Sequence, residues 1–407
     1  GAPAARGLQD AAEPSRLLAG MRRRLAEDKV GRAPSEYASL CQFLQEQGGD
    51  WKALQVASVA DVRRAARVPE ALGEPVVVDA RSNWRPRRWS MAFWSYECGQ
   101  ETCWSHRRSP PCAGDAAGGQ PARPVPGSVS DFVKYVGVLR DLGPRLAEED
   151  YLAYPRFSVG GWSPFATEGG EGRALWEEDL RSGRQSWAPA GVKDLTDRWV
   201  KMFCNALSVD WKETLACMDA VQLGPAGAVT RLHVAPASAH TWHGQIQGRR
   251  AFVLFAPHES GNLYAEGGEG SDDEGDAGDV ADTAAPGLPP RDLPRALRRS
   301  PVDVLRPSKG LTSFKKSAAR VVVLEPGEIL VVPQGWWLYS ATLEPSATLS
   351  RRFWNHANRE GVCEELEFLF RPGFEAREGR QEGRARLRSY VEQLRYKQQQ
   401  DYSSDED

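Results

Sequence analysis

The 407-residue chain has no apolar run approaching the ~18 residues that cross a bilayer, so no helical membrane span is expected. Charge of neither sign is in excess: 52 Lys and Arg face 55 Asp and Glu, for a net charge of -3. That balance supplies no global basic field for nucleic acid or anionic lipid. Cysteine is scarce, with seven residues spread along the chain. An odd count without an export signal points to reduced thiols and an intracellular protein, cytoplasmic or nuclear. The first residues, Gly1-Ala2-Pro3-Ala4-Ala5-Arg6, carry neither an initiator Met nor an apolar signal core, the pattern of a trimmed or fragmentary N-terminus. What is present is globular in composition, 41% hydrophobic and 26% charged. The length suits one large domain with insertions or two smaller ones.

Patterning divides the chain. Residues 1–34, rich in Ala, Arg and Glu, read as a flexible arm. Residues 35–74 carry apolar positions Leu40, Phe43 and Leu44, then Leu54, Val59, Val62 and Ala65, which predict two short amphipathic helices. Residues 75–215 open with the β-branched run Pro75-Val76-Val77-Val78, a strand by propensity, and contain a helix predicted from Ser130 to Val136. Residues 216–356 change character. Short runs such as Ala220–Leu223, Gly244–Ile246, Ala251–Phe255, Val321–Leu324, Ile329–Val332 and Ala347–Leu349 alternate with Gly and Pro turns, the punctuation of a sandwich or barrel. Residues 266–290 interrupt that series with a Gly- and Asp-rich stretch centred on Ser271-Asp272-Asp273-Glu274, predicted to be a disordered acidic insertion. Residues 357–400 read as a helical segment in which Leu366, Phe368, Leu369 and Phe370 pack back on the body, and residues 401–407 as a free acidic tail.

Three blocks carry the chemistry. The first is Thr230-Arg231-Leu232-His233-Val234-Ala235-Pro236, and the second is Gly248-Arg249-Arg250 followed by Ala251-Phe252-Val253-Leu254-Phe255. The third is Pro326-Gly327-Glu328-Ile329-Leu330-Val331-Val332-Pro333-Gln334-Gly335-Trp336-Trp337-Leu338. Leu223-Gly224-Pro225 upstream, and Asn83-Trp84-Arg85-Pro86 after the Val run, belong with them. Together these resemble the signature blocks of JmjC proteins, in order, over about two thirds of the chain. The nearest pattern is that of the small JmjC protein hydroxylases, the lysyl-hydroxylase and arginine-demethylase type. The resemblance implies a mainly β fold with flanking helices, the cupin or double-stranded β-helix barrel. It also implies oxidoreductase chemistry: a dioxygenase that uses Fe(II) and 2-oxoglutarate to hydroxylate or demethylate a protein substrate.

In that family the iron sits on a His-x-Asp pair and a distal His, a facial triad with one open face. Carried onto this chain, the first ligand is His233, but the Asp position is Ala235 and the distal His position is Leu338. A methyl and an isobutyl group offer no donor atom, and one imidazole does not retain Fe(II) against water. The co-substrate positions keep more: Thr230, three residues before His233, and Arg250 where the family has Lys, with Ser350 on the last strand. Arg250 reads either as a two-pronged partner for a small dicarboxylate or as a strand-end charge reaching solvent while Arg249 does so on the opposite face. His243 falls where related hydroxylases carry an Asn near the co-substrate. It reads as a replacement pocket ligand or, the favoured reading, as a polar residue filling space the metal vacated. Of Trp336 and Trp337, one is expected inside the barrel and one outside.

A second cluster is Cys98, Cys103, His106 and Cys112. Four soft donors in this span could wrap a zinc ion, yet the spacing matches no familiar zinc module, and scattered cysteines in a surface insertion is the competing reading. Three functions therefore stand beside one another. One is a catalytically impaired JmjC-fold pseudoenzyme that binds a protein partner or a small carboxylate. The second is an active 2-oxoglutarate-dependent hydroxylase or demethylase with a rebuilt metal site. The third is a structural interaction module.

Overall fold

The computed structural model describes residues 50–53, 56–58, 73–81, 84–107, 125–146, 157–165, 171–181, 194–226, 228–265, 298–302, 304 and 310–405. Their strands form two sheets. The first runs in the order β1 (Asp50–Ala53), β11 (Ala318–Leu324), β10 (Arg250–Phe255), β13 (Trp337–Thr342) and β8 (Val229–Val234). The second begins β2 (Val56–Ser58), β3 (Val76–Asp79), β12 (Glu328–Val332), β9 (His240–Gln247) and β14 (Ser346–Phe353). It continues β7 (Asp219–Gly224), β6 (Phe157–Trp162), β4 (Thr102–Arg107) and β5 (Val125–Ser128).

From Asp219 onward the chain passes back and forth between the sheets: β7 lies in the second, β8 in the first, β9 in the second, β10 and β11 in the first. After the Pro326-Gly327 turn, β12 returns to the second, β13 to the first and β14 to the second. Antiparallel strands that alternate in this way wind into a double-stranded β-helix, the barrel expected from the sequence. β12 and β10 are buried at every position, because both of their faces are covered. That is why they read as unbroken apolar runs rather than as alternating ones. Gly327 supplies the turn between β11 and β12 with φ +90°, a conformation open to Gly and costly for other residues.

Inside, Val77, Leu330 and Val332 of the second sheet join Phe252, Leu254 and Leu338 of the first in one buried apolar cluster. Outside, a second cluster unites Trp242, Val331 and Leu349 with the helix Met91–Glu97, the helix Thr196–Leu207 and the C-terminal helices. It is rich in tryptophan: Trp84, Trp89, Trp94, Trp176 and Trp199 are all within 1% of full burial. Gly244 lets Trp84 approach the sheet, since a Cβ there would lie 2.5 Å from the indole ring. The helix Thr196–Leu207 is tied to this face by Arg351, which pairs with Asp219 at 3.2 Å and Asp197 at 2.9 Å. The Trp176 indole N–H donates to the same Asp219 carboxylate at 2.7 Å.

Several expectations change here. Within residues 35–74, where two helices were predicted, residues 50–53 and 56–58 are strands: β1 pairs in parallel with β11, and β2 with β3. Local apolar spacing was overridden by two open sheet edges, which offer hydrogen bonds that a short isolated helix does not. The helix predicted over Ser130–Val136 extends over Val129–Leu146. The C-terminal segment is a pair of helices, Arg359–Glu378 and Arg380–Asp405, with Leu366 fully buried and Leu369 and Phe370 packed on the outer cluster. The second helix runs to Asp405, five residues into the stretch expected to be a free tail. The arm (residues 1–34) and the acidic insertion (266–290) lie outside the described residues.

A candidate ligand site inside the barrel

The strand register stacks the inward-facing side chains in three tiers, because directly paired residues of an antiparallel ladder share a face. At the mouth, His233 of β8 pairs with Leu338 of β13, and Leu338 pairs with Leu254 of β10. Across from them, Thr241 of β9 pairs with Val332 of β12. In the middle tier Ser340 pairs with both Thr230 and Phe252, while His243 pairs with Ser350 and Leu330. In the lowest tier Arg250 pairs with Thr342, and Thr348 with Gln222 and Gln245.

The lowest tier is a hydrogen-bonded network. Arg250 Nη1 donates to Gln222 Oε1 and lies 3.5 Å from Thr348 Oγ1. Thr348 Oγ1 donates to Gln245 Oε1 at 2.8 Å, and Gln245 Nε2 donates to the carbonyls of Gln247 and Gly248 at 2.8 and 3.0 Å. Gln222 Nε2 donates onward to Ser350 Oγ at 3.3 Å. Arg250 is 3% exposed. The reading of Arg250 as a charge reaching solvent is therefore corrected: it is Arg249, on the other face, that pairs at the surface with Glu344 at 2.7 Å. Arg250, Thr348 and Ser350 converge on one interior face, as their alternate positions on β10 and β14 require.

The middle tier holds His243. Its ring is buried, 5.3 Å from the Phe252 ring, and neither ring nitrogen has a hydrogen-bond partner. Burial, then the nearby charges of Arg250 and His233, push its pKa down to about 3, so the ring is neutral at physiological pH. His240, at the start of the same strand, is lowered to about 4 by burial. Its Nδ1 accepts from the Gln334 N–H at 2.9 Å, which pins the loop leading into β13.

At the mouth, His233 Nδ1 donates to the Arg231 carbonyl at 2.8 Å. A carbonyl only accepts, so this bond fixes the tautomer with the proton on Nδ1 and makes Nε2 the acceptor nitrogen. Ala235 follows the last residue of β8, and the turn behind it is held by Trp354 and Asn358, whose side chains donate to the Ala237 and Ser238 carbonyls at 2.8 Å each. The donor set does not suit a facial triad. The position opposite His233 in the ladder is an isobutyl group, and the position two residues on is a methyl. Among the described residues no group of three or more His, Cys, Asp and Glu side chains is placed to hold a metal ion.

The other cysteine-histidine cluster is also resolved in part. Cys98 and Cys103 are buried in the outer aromatic cluster, not in a surface insertion, and burial pushes the Cys103 thiol up to about 11. A thiol held neutral in apolar surroundings is a poor zinc ligand. His106 lies on β4, and Cys112 lies outside the described residues. Of the paired tryptophans, Trp337 is fully buried with its indole N–H on Ser260 Oγ at 3.0 Å. Trp336 reaches the Gly73 carbonyl at 3.2 Å, at the barrel mouth rather than inside. Gln222, Gln245 and Thr348 were missed by motif reasoning. Their signal was period-2 polarity within otherwise apolar strands, as in Val221-Gln222-Leu223.

A family model for the cupin-like domain matches residues 193–360, the stretch that builds the barrel. Residues 193–360 form a cupin-like domain. Among curated relatives the chain is similar to an arginine-specific demethylase of Arabidopsis thaliana, 26% identical over 153 residues, covering 37% of this chain and 25% of the relative. JmjC domain-containing protein D of Dictyostelium discoideum is 30% identical over 128 residues, covering 31% and 23%. HSPB1-associated protein 1 of Rattus norvegicus is 28% identical over 113 residues, covering 27% and 18%. The chain spans about a quarter or less of the length of these relatives. The JmjC family as a whole uses Fe(II) and 2-oxoglutarate. No helix among the described residues is long and apolar enough to cross a membrane.

Proposed function

We propose that this protein is a JmjC-fold binding protein that has lost the iron chemistry of its family and retains a carboxylate-binding barrel. The observation that carries this reading is the pairing of His233 with Leu338. The two strand positions that should converge on iron do face each other, and one of them has no lone pair to offer. The remaining carboxylate-recognising groups are Arg250, Thr230, Ser350 and His243. Arg250 gives a buried positive charge with a forked donor geometry, suited to one end of a dicarboxylate. Thr230 and Ser350 add hydroxyl groups, and neutral His243 adds one N–H donor. Without chelation at the other end, a few charge-assisted bonds of about 1.5 to 3 kcal/mol each give Kd values of about millimolar to tens of micromolar.

One observation favours a rebuilt metal site: His243 stands close enough to His233 for the two charges to interact. The Arg250 cation acts on the same ring and opposes a second cation there. Both readings meet in one experiment. The purified full chain is assayed for bound iron after expression in iron-replete medium, then titrated with 2-oxoglutarate, succinate and malonate in the presence of chelator. Less than about a tenth of an equivalent of iron, with dicarboxylate binding that Arg250→Ala abolishes and Arg250→Lys weakens, is the expected result. Stoichiometric iron with oxygen-dependent succinate release overturns it.

A further inference from the structure

The floor of the barrel holds two glutamines in different company. Gln245 Nε2 donates to the carbonyls of Gln247 and Gly248 at 2.8 and 3.0 Å, and its Oε1 accepts from Thr348 Oγ1 at 2.8 Å. Those partners are backbone and a fully buried hydroxyl, so Gln245 braces the sheet. Gln222 bonds to side chains instead: its Oε1 accepts from Arg250 Nη1, and its Nε2 donates to Ser350 Oγ at 3.3 Å. Arg250 and Ser350 are two of the groups assigned above to carboxylate recognition. A carboxamide oxygen against a guanidinium N–H is the neutral counterpart of the contact that a ligand carboxylate would make there.

Gln222 also has somewhere to go. Its strand, β7, lies in the second sheet while β8 ends the first, and among the described residues no ladder joins the two. Beside that seam the inward-facing Gln222, Thr230 and Ser350 are all partly exposed. Their chain neighbours Val221, Val229 and Leu349 are buried, as are Thr348 and Gln245 of the floor. A rotation of the Gln222 side chain toward the seam exchanges its two bonds for water. The same motion in Gln245 would leave two carbonyls and a buried hydroxyl without partners, a far larger loss.

We infer that Gln222 is a built-in competitor for the carboxylate seat: its carboxamide fills the place beside Arg250 and Ser350, and a ligand binds by displacing it toward the seam. The inference rests on the reading that the barrel takes a carboxylate, and adds what such a ligand must overcome. A carboxylate bonds more strongly to a guanidinium than a neutral amide does, so the exchange favours an anion. A neutral carboxamide ligand trades like for like and gains nothing, so the seat selects charge. The opposite role is that Gln222 aims Arg250 at the ligand. The two roles differ in sign, because removing a competitor tightens binding and removing a positioning residue weakens it.

The test is a ligand-observed titration of the full chain with succinate and with its neutral diamide, succinamide, in the presence of chelator. Gln222→Ala and Gln222→Leu remove the competing oxygen and should tighten succinate about tenfold, the scale of one hydrogen bond to a charged group no longer broken on entry. Gln222→Glu sets a permanent carboxylate against Arg250 and should abolish binding. Succinamide should not bind the wild type. Melting curves check that each variant is folded, and the leucine variant, close to glutamine in size, serves if the alanine variant is not. Succinate binding that the two apolar variants leave unchanged or weaken overturns the inference and leaves the carboxylate reading standing, as does full binding by Gln222→Glu. Binding by none of the proteins overturns both. Binding by the apolar variants alone, lost again when Arg250→Ala is added, supports both.

Discussion

The two ends of the barrel interior differ in kind. At the mouth, the positions that the JmjC resemblance assigns to metal donors are hydrocarbon, Leu338 against His233 with Ala235 beyond. Two tiers down, Arg250, Gln222, Thr348 and Gln245 form a closed hydrogen-bonded set. The contrast separates two kinds of constraint. A metal site is a cooperative object, since removing two of three ligands removes nearly all affinity. A polar floor is held by packing and mutual hydrogen bonding, so it persists as part of the structure whether or not a ligand ever enters.

The largest expected effect comes from restoring the mouth. Leu338→His combined with Ala235→Asp should raise bound iron from the expected less than about a tenth of an equivalent to close to one, read by elemental analysis. If the double variant stays empty, the scaffold around the site does not support a metal either, and the contrast between the two ends is deeper than two side chains.

The floor should answer next. Arg250→Ala strands the acceptor on Gln222 and leaves Thr348 without its cationic neighbour, so stability should fall by about 2 kcal/mol, measured by urea denaturation. Equal stability would mean that the network is solvent-filled rather than self-supporting.

His243 lies between the ends, and its sign is opposite. A buried imidazole with two unpartnered nitrogens is a liability, so His243→Leu should stabilise the fold by about 1 to 2 kcal/mol. It should also flatten the acid limb of the stability curve. His243 falls from 6.5 when unfolded to about 3 when folded, and His240 from 6.5 to about 4. The unfolded chain therefore binds more protons below pH 6.5. Stability falls as pH drops from 6.5 toward about 4, by about 1.4 kcal/mol per pH unit for each ring. The leucine variant should show about half that slope, and an unchanged slope would place the acid sensitivity elsewhere. The smallest effect belongs to Arg249→Ala: its pair with Glu344 is at the surface, and the loss should stay below about 1 kcal/mol.

Much of this was readable in advance, and the rest failed for identifiable reasons. The barrel was legible because β-branched runs and Gly-Pro turns recur at strand spacing through Ala220–Leu349. Six of the core strands, β7, β9, β10, β11, β12 and β14, sit on runs picked out from pattern alone. Strand β1 was not legible, since its partner is a strand far along the chain and no local pattern encodes that pairing. In the site, Arg250 was visible as a residue but not as a direction. Period-2 alternation put Arg249 and Arg250 on opposite faces, yet only the contact with Gln222 reveals which of them turns inward. Cys98 and Cys103 misled for the complementary reason: their spacing fitted no zinc module and read as scattered cysteines in a surface insertion, while the aromatic cluster around them was assembled from segments far apart.

The parallel pairing of β1 with β11 and of β2 with β3 bears on biosynthesis. Asp50 finds its partner at Ala318, so a strand made early must wait for one emerging some 270 residues later. At about 5 to 20 residues per second, that interval is on the order of tens of seconds on the ribosome. Throughout it, the backbone of residues 50–53 has no β11 to pair with and remains open to other strand edges, including those of neighbouring nascent chains. A pulse-labelled chain halted just before residue 318 should be bound by chaperones, and should leave them once β11 has emerged and the first sheet closes.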